Sequence, residues 1–64
     1  MKTKIKELRE REQMTQSDLA NKLNVGQSTV AMWENGTNIP RVLTLVKLSN
    51  IFCCDIDDIL DNST

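Results

Sequence analysis

The 64-residue chain contains no histidine, which removes the commonest general base and the commonest nitrogen ligand for a metal. Its only two cysteines, Cys53 and Cys54, are adjacent. Neighbouring cysteines very rarely bridge each other, and two thiols without histidine cannot complete a zinc site within one chain. They read as small, semi-buried side chains in a reducing cytosol, or alternatively as partners in a disulfide between molecules. No hydrophobic stretch approaches the roughly 20 residues of a membrane span, and no signal-peptide pattern opens the chain. A cytoplasmic protein without a membrane partner is expected. One proline, two glycines and few β-branched runs suit a compact all-α domain with short turns. An enzyme is not expected, because no nucleophile–base pair is visible and so short a chain leaves no room for a pocket of about 300 Å³. No cofactor, metal or small-molecule ligand is expected either.

What is present is a modest hydrophobic content of 39% in which Leu, Ile and Val recur throughout, which argues against disorder. Residues 1–64 are expected to form one domain, near the lower limit for folding without staples. The net charge of −1 argues on its face against nucleic acid, but the charges are unevenly spread. Residues 1–33 hold six cations (Lys2, Lys4, Lys6, Arg9, Arg11, Lys22) against Glu7, Glu10, Glu12 and Asp18, a balance of +2. Residues 34–64 hold Arg41 and Lys47 against Glu34, Asp55, Asp57, Asp58 and Asp61, a balance of −3.

Five short helices are predicted. The first runs from about Thr3 to Glu12 with Ile5 and Leu8 inward. Thr15 caps the second, Asp18 completes a capping box, and Met14 and Leu19 have the spacing of a hydrophobic staple. Its inward face is Leu19, Ala20 and Leu23. The third covers Gln27 to about Asn35, with Val30 and Trp33 on one side, and Gly36 stops it in a left-handed conformation. After the loop Thr37-Asn38-Ile39-Pro40, a fourth helix from about Arg41 to Phe52 points Val42, Leu45, Leu48 and Phe52 at the core. Asp55 caps a short fifth helix, with Cys54 and Ile59 again spaced as a staple.

Between Gln16 and Trp33 one helix ends, a three-residue turn follows and a second helix begins, the span of a helix-turn-helix. Ala20 must be small where the helices cross, and Asn24 tolerates the left-handed backbone of the turn. Val25, Val30 and Trp33 fill the crevice, which leaves Gln27, Ser28, Thr29, Ala31 and Met32 facing away from the core.

These elements carry a resemblance to the Cro/cI-like (XRE) helix-turn-helix family of phage and bacterial repressors. They are Ile5-x-x-Leu8-Arg9, Met14-Thr15-Gln16-x-x-Leu19-Ala20, Val25-Gly26-Gln27-Ser28-Thr29-Val30, Trp33-Glu34-Asn35-Gly36, Pro40 and Phe52-x-x-x-Ile56-Asp57-x-Ile59-Leu60. The similarity spans nearly the whole chain. It implies a compact five-helix fold, double-stranded DNA as partner, entry of the third helix into the major groove, and often dimers on operator DNA. It also implies an Arg9–Glu34 ion pair between the first and third helices, and a Gln16 that contacts the DNA backbone and braces the recognition helix. Departures are Asn24 for the commoner Gly, Gly26 where Ser or Thr often caps the third helix, Arg41 for a Ser-like cap, and Cys53 at the usual Gly position after the fourth helix, where a turn that is strained or differently shaped is expected.

On that frame Gln27 and Ser28 lie nearest the base edges, and Gln can bond adenine N6 and N7 together. Thr29 and Met32 are further candidate base contacts, although Met32 is as well placed to rest on the rim of the core. Gln16 opens the second helix, whose free N–H groups attract phosphate. Arg41 is a poor cap and a cation at the positive end of a helix dipole, a conflict that a docked phosphate would remove. Asn35, Thr37 and Asn38 share its loop as further phosphate candidates. Lys2, Lys4 and Lys6 supply loose attraction or simply a solvated terminus. Trp33 reads as core, and Asp55 to Asp61 as a solvated helix facing away from DNA, its acids on different faces and unsuited to a metal.

The leading function is thus a transcriptional regulator, most simply a repressor binding operator DNA. The competing class is a protein-interaction module such as an antitoxin, kept open by the net negative charge and by Leu43, Val46 and Ile51. One recognition helix reads too few bases to single out a site, so a weak homodimer stabilised by DNA is expected. Its axis is expected near the Cys54-Ile56-Ile59 edge of the last helix or the Leu43-Val46 side of the fourth.

Overall fold

A computed structural model describes the backbone of residues 2–61 and the side chains of residues 3–60. Five helices follow one another: α1 (Ile5–Arg11), α2 (Gln16–Leu23), α3 (Gln27–Asn35), α4 (Val42–Phe52) and α5 (Ile56–Ile59). They enclose a core of Ile5, Leu8, Leu19, Ala20, Leu23, Val30, Trp33, Leu45, Leu48, Phe52 and Ile59. Every helix contributes at least one apolar side chain, which is how so short a chain assembles an interior at all. Trp33 is only 5% exposed and lies in that interior. The side chains of Lys2 and Asp61 lie outside the described set.

Two short strands, β1 (Lys2–Thr3) and β2 (Leu60–Asp61), add what the helical periodicity did not announce. They pair antiparallel, Lys2 opposite Asp61 and Thr3 opposite Leu60. Lys4 N–H continues the ladder to the Ile59 carbonyl at 2.6 Å. The expected start of α1 at Thr3 therefore belongs to β1, and the helix proper begins two residues later. Thr3 Oγ1 also donates to the Trp33 carbonyl at 3.4 Å, which anchors the strand to the end of α3.

Four helices end in the same way. Residues Gln13, Asn24, Gly36 and Cys53 all adopt positive φ, at 58°, 57°, 81° and 53°. The next N–H in each case reaches back five residues: Met14 to Arg9 O, Val25 to Ala20 O, Thr37 to Met32 O and Cys54 to Ser49 O, all at 3.0 Å. This is the Schellman closure, which satisfies carbonyls that a helix end otherwise leaves free. Three of the four left-handed residues carry a β-carbon, and of those only Asn24 is of a type that visits this region readily.

The beginnings differ from one helix to the next. Thr15 accepts from Asp18 N–H at 3.0 Å while the Asp18 carboxylate accepts from Thr15 N–H at 2.9 Å, the reciprocal capping box. Those hydrogen bonds hold the Asp18 carboxyl below its ordinary pKa. Arg41 is the N-cap of α4, not its first residue, and makes no capping bond. Val42, expected inside, is 71% exposed. Its spacing from Leu45 continues the apolar stripe, but the first turn of α4 projects past the core, and Pro40 just before it is buried instead.

Candidate nucleic-acid interface

The turn Asn24-Val25-Gly26 sets α3 across α2. Asn24 takes the left-handed conformation (φ 57°, ψ 45°), and half-buried Val25 packs against the core beneath. Gly26 is extended (φ −78°), so glycine is not required there by backbone geometry. A β-carbon at Gly26 would meet only Ser28 Oγ at 3.7 Å and Thr29 Oγ1 at 3.9 Å. The first turn of α3 has no side-chain cap, and while Thr29 N–H bonds the Gly26 carbonyl at 3.1 Å, those of Gln27 and Ser28 remain available to an external acceptor.

On this frame Gln27 and Ser28 are exposed at the start of α3, while Thr29 and Met32 are half-buried along its length. Gln16, half-buried, lies beside them at the start of α2, and Asn35, Thr37, Asn38 and Arg41 are exposed around the following loop. Met32 is not a free side chain. Its sulfur accepts from Asn38 Nδ2 at 3.5 Å, and its carbonyl accepts from Thr37 and Asn38 N–H. Asn38 and Met32 thus occupy each other and fold the loop back onto α3.

Beneath the exposed rim runs a chain of polar contacts. Arg9 Nε lies 2.8 Å from Glu34 Oε2 and Arg9 Nη2 lies 3.2 Å from Glu34 Oε1, a two-pronged pair between α1 and α3. Arg9 Nη1 donates in addition to the Met14 carbonyl at 2.7 Å. The two side chains are 11% and 5% exposed, so water competes little for them. Gln16 Nε2 donates to Glu34 Oε1 at 3.0 Å, and Gln27 Nε2 donates to Gln16 Oε1 at 3.2 Å. Burial alone would raise the Glu34 pKa; the hydrogen bonds from Arg9 and Gln16, with the charges of Arg9 and Lys6, outweigh it and hold the carboxyl below its usual range. The Arg9 guanidinium is correspondingly held above its ordinary value, chiefly by the hydrogen bond to Glu34.

The resemblance implied that Gln16 braces the recognition helix, and Gln27 is the residue that it holds. The spacing of eleven residues across a turn gives no periodic signal for that contact. Sequence reasoning underestimated the surface relief. Val25, Thr29, Met32, Trp33, Asn38, Ile39, Pro40, Arg41 and Thr44 line a half-open groove of about 570 Å³ between α3 and the start of α4. The expectation that the chain leaves no room for a pocket is therefore wrong: Asn38, Ile39 and Pro40 wall a groove against α3 and the start of α4 instead of filling it. The groove lining holds no carboxylate and no thiol beside its single cation, Arg41. Ile39, unassigned from sequence, is 44% exposed in it despite being apolar.

The two surfaces expected near a dimer axis fare differently. Ile59 is fully buried, so the Cys54-Ile56-Ile59 edge cannot present it to a second subunit. Its place at the fourth position of α5 turns it down onto the core, as the staple spacing demands. On α4, Leu43 is 78% and Val46 41% exposed, and exposed Val42 extends the same apolar surface. Cys53 is exposed, whereas Cys54 is half-buried, and burial raises its thiol pKa. Among the described residues no helix is long and apolar enough to cross a membrane.

Comparison with known proteins agrees with this architecture. The helix-turn-helix family profile matches residues 5–59, from the first residue of α1 to the last of α5. An uncharacterized HTH-type transcriptional regulator of Archaeoglobus fulgidus is 36% identical over 59 residues, which cover 92% of this chain and 83% of that protein. The cryptic phage CTXphi transcriptional repressor RstR of Vibrio cholerae is 31% identical over 95% of this chain and 55% of its own length. The HTH-type transcriptional activator BcrR of Enterococcus faecalis is 33% identical over 89% of this chain but only 28% of its own length. The chain thus spans about half of one of these relatives and little more than a quarter of another. With the geometry of α2, the turn and α3, these matches place the chain in the Cro/cI-like (XRE-type) helix-turn-helix family of DNA-binding transcriptional regulators.

Proposed function

We propose that residues 1–64 form a single operator-binding domain that represses transcription as a homodimer, each α3 lying in the major groove of one half-site. The observation that carries this reading is the exposed Gln27 at the uncapped start of α3, supported from below by Gln16 and the Arg9–Glu34 pair. A side chain so braced meets a base edge with little further ordering to undergo. Gln27, Ser28, Thr29 and Met32 then face bases, while Gln16, Asn35, Thr37, Asn38 and Arg41 meet phosphates on either side. Repression needs only occupancy of the operator, whereas activation needs an additional surface for the transcription machinery.

The dimensions suit a two-fold arrangement. The body measures 30 × 24 × 21 Å, and successive major grooves on one face of DNA are about 34 Å apart. Two such bodies placed side by side bring their α3 helices to that separation only if each faces outward from the axis. The apolar Val42-Leu43-Val46 surface then becomes the candidate contact between subunits. Such a protein acts in the cytoplasm, where its operator is.

The test is to select preferred duplexes from a random pool and to measure binding of the wild type and Gln27→Ala. On the preferred site the substitution should cost about 1–3 kcal/mol per subunit and relax selectivity at one base position. Equal losses on preferred and random DNA would reduce Gln27 to a backbone contact. A second reading, a module whose partner is a protein, draws on the same exposed apolar surface of α4. Failure to retard any duplex at physiological salt would favour it.

A further inference from the structure

The polar chain beneath α3 has a direction, and the direction is set at its buried end. The Glu34 side chain is 5% exposed, and its lowered pKa keeps it ionised at neutral pH. An ionised carboxylate only accepts hydrogen bonds. Gln16 must therefore turn its NH2 group to Glu34, as it does at 3.0 Å. An amide with its nitrogen committed at one end presents oxygen at the other. That oxygen accepts from Gln27 Nε2 at 3.2 Å. Gln27 keeps one free N–H and its own free oxygen, a donor beside an acceptor. Adenine offers the complement, N7 as acceptor and N6 as donor; guanine offers two acceptors, N7 and O6, and asks for two donors.

We infer that Glu34 is a positioning residue for base selectivity, its carboxylate orienting the Gln16 amide so that Gln27 matches adenine and rejects guanine. This rests on the assignment of Gln27 as a base contact made above. In Glu34→Gln the new amide donates as well as accepts, so Gln16 is free to turn over and present its NH2 group to Gln27. Gln27 then accepts through its oxygen and directs both N–H groups at guanine. Exchanging both residues, in Gln16→Glu/Glu34→Gln, restores the direction with different chemistry. The amide at 34 donates to the carboxylate at 16, which again only accepts from Gln27.

The base position is defined as the one whose preference Gln27→Ala abolishes. Duplexes carrying adenine or guanine there are titrated against the full chain by fluorescence anisotropy, with folding of each variant checked by circular dichroism. The wild type should prefer adenine by roughly tenfold or more. Glu34→Gln should bring the two duplexes to within about twofold of each other, and the double exchange should recover most of the preference. Gln16→Ala, which leaves the Arg9–Glu34 pair in place, should also equalise them and serves if Glu34→Gln does not fold. An adenine preference that survives Gln16→Ala or Glu34→Gln overturns the relay while leaving DNA binding intact. A loss that the double exchange leaves unrepaired does the same, since it assigns Glu34 to the ion pair alone. A wild type without site preference, or one whose preference ignores Gln27→Ala, overturns the base contact and the relay together.

Discussion

Replacing Cys53 with glycine should stabilise the protein. Cys53 ends α4 at φ 53°, ψ 48°, where a β-carbon costs roughly 1–2 kcal/mol. Its side chain repays little, being exposed with one long contact from Sγ to the Asn50 carbonyl at 3.8 Å. Glycine removes the strain but gains about 0.5–1 kcal/mol of extra freedom in the unfolded chain. At the middle of both ranges the net gain is about 0.75 kcal/mol. For a domain of this size each kcal/mol moves the midpoint by roughly 4–8 °C, so Cys53→Gly should raise Tm by about 3–6 °C. Thermal unfolding followed by circular dichroism in reducing buffer measures it. Cys53→Ala is the control, since it removes the thiol and keeps the β-carbon, and it should leave Tm nearly unchanged. A rise in alanine equal to that in glycine would assign the effect to the thiol. No rise in glycine would refute the strain argument.

Three further outcomes are expected. Arg41→Ala should weaken binding to all duplexes alike and lower the salt slope by roughly one per subunit; since Arg41 makes no capping bond, Tm should not fall. An unchanged slope would remove the phosphate contact. Glu34 has a folded pKa below its unfolded one, so its contribution is present above the ordinary carboxylate value of the unfolded chain and is lost as pH falls through the folded value. The acid limb of Tm against pH should accordingly flatten in Glu34→Gln, and a superimposable limb would refute it. Leu43→Glu should weaken self-association in sedimentation without lowering Tm, because Leu43 is 78% exposed; unaltered association would move the subunit contact elsewhere.

The helices were legible because each lays its apolar residues on one stripe, and α2 and α3 also carry residues typical of starts and stops. Asn24 and Gly36 announce left-handed turns, since both residue types visit that region readily. Gln13 has no such preference and its equivalent closure passed unread; Cys53 was suspect only through the family comparison. Val42 misled because periodicity records where a side chain points around a helix and says nothing of whether a neighbour lies opposite. The terminal strands were invisible because two residues are too few to alternate. At the interface, residue type and position at the start of α3 sufficed to nominate Gln27. The link through Gln16 to Glu34 depends on side-chain reach across a turn, which spacing alone does not encode.

The pairing of Lys2 with Asp61 brings the two ends of the described backbone together, so that residues 2–61 nearly close a ring. A ring has no privileged place to be cut. A peptide of a few residues joining the two ends would permit new ends at the exposed Glu12-Gln13 turn, with the helices and core contacts retained. The same closure constrains what is attached: a tag that pulls on β1 pulls on Thr3, which is bound to the last turn of α3. Labels meant to leave α3 undisturbed belong instead on the outer face of α2, at a site such as Asn21.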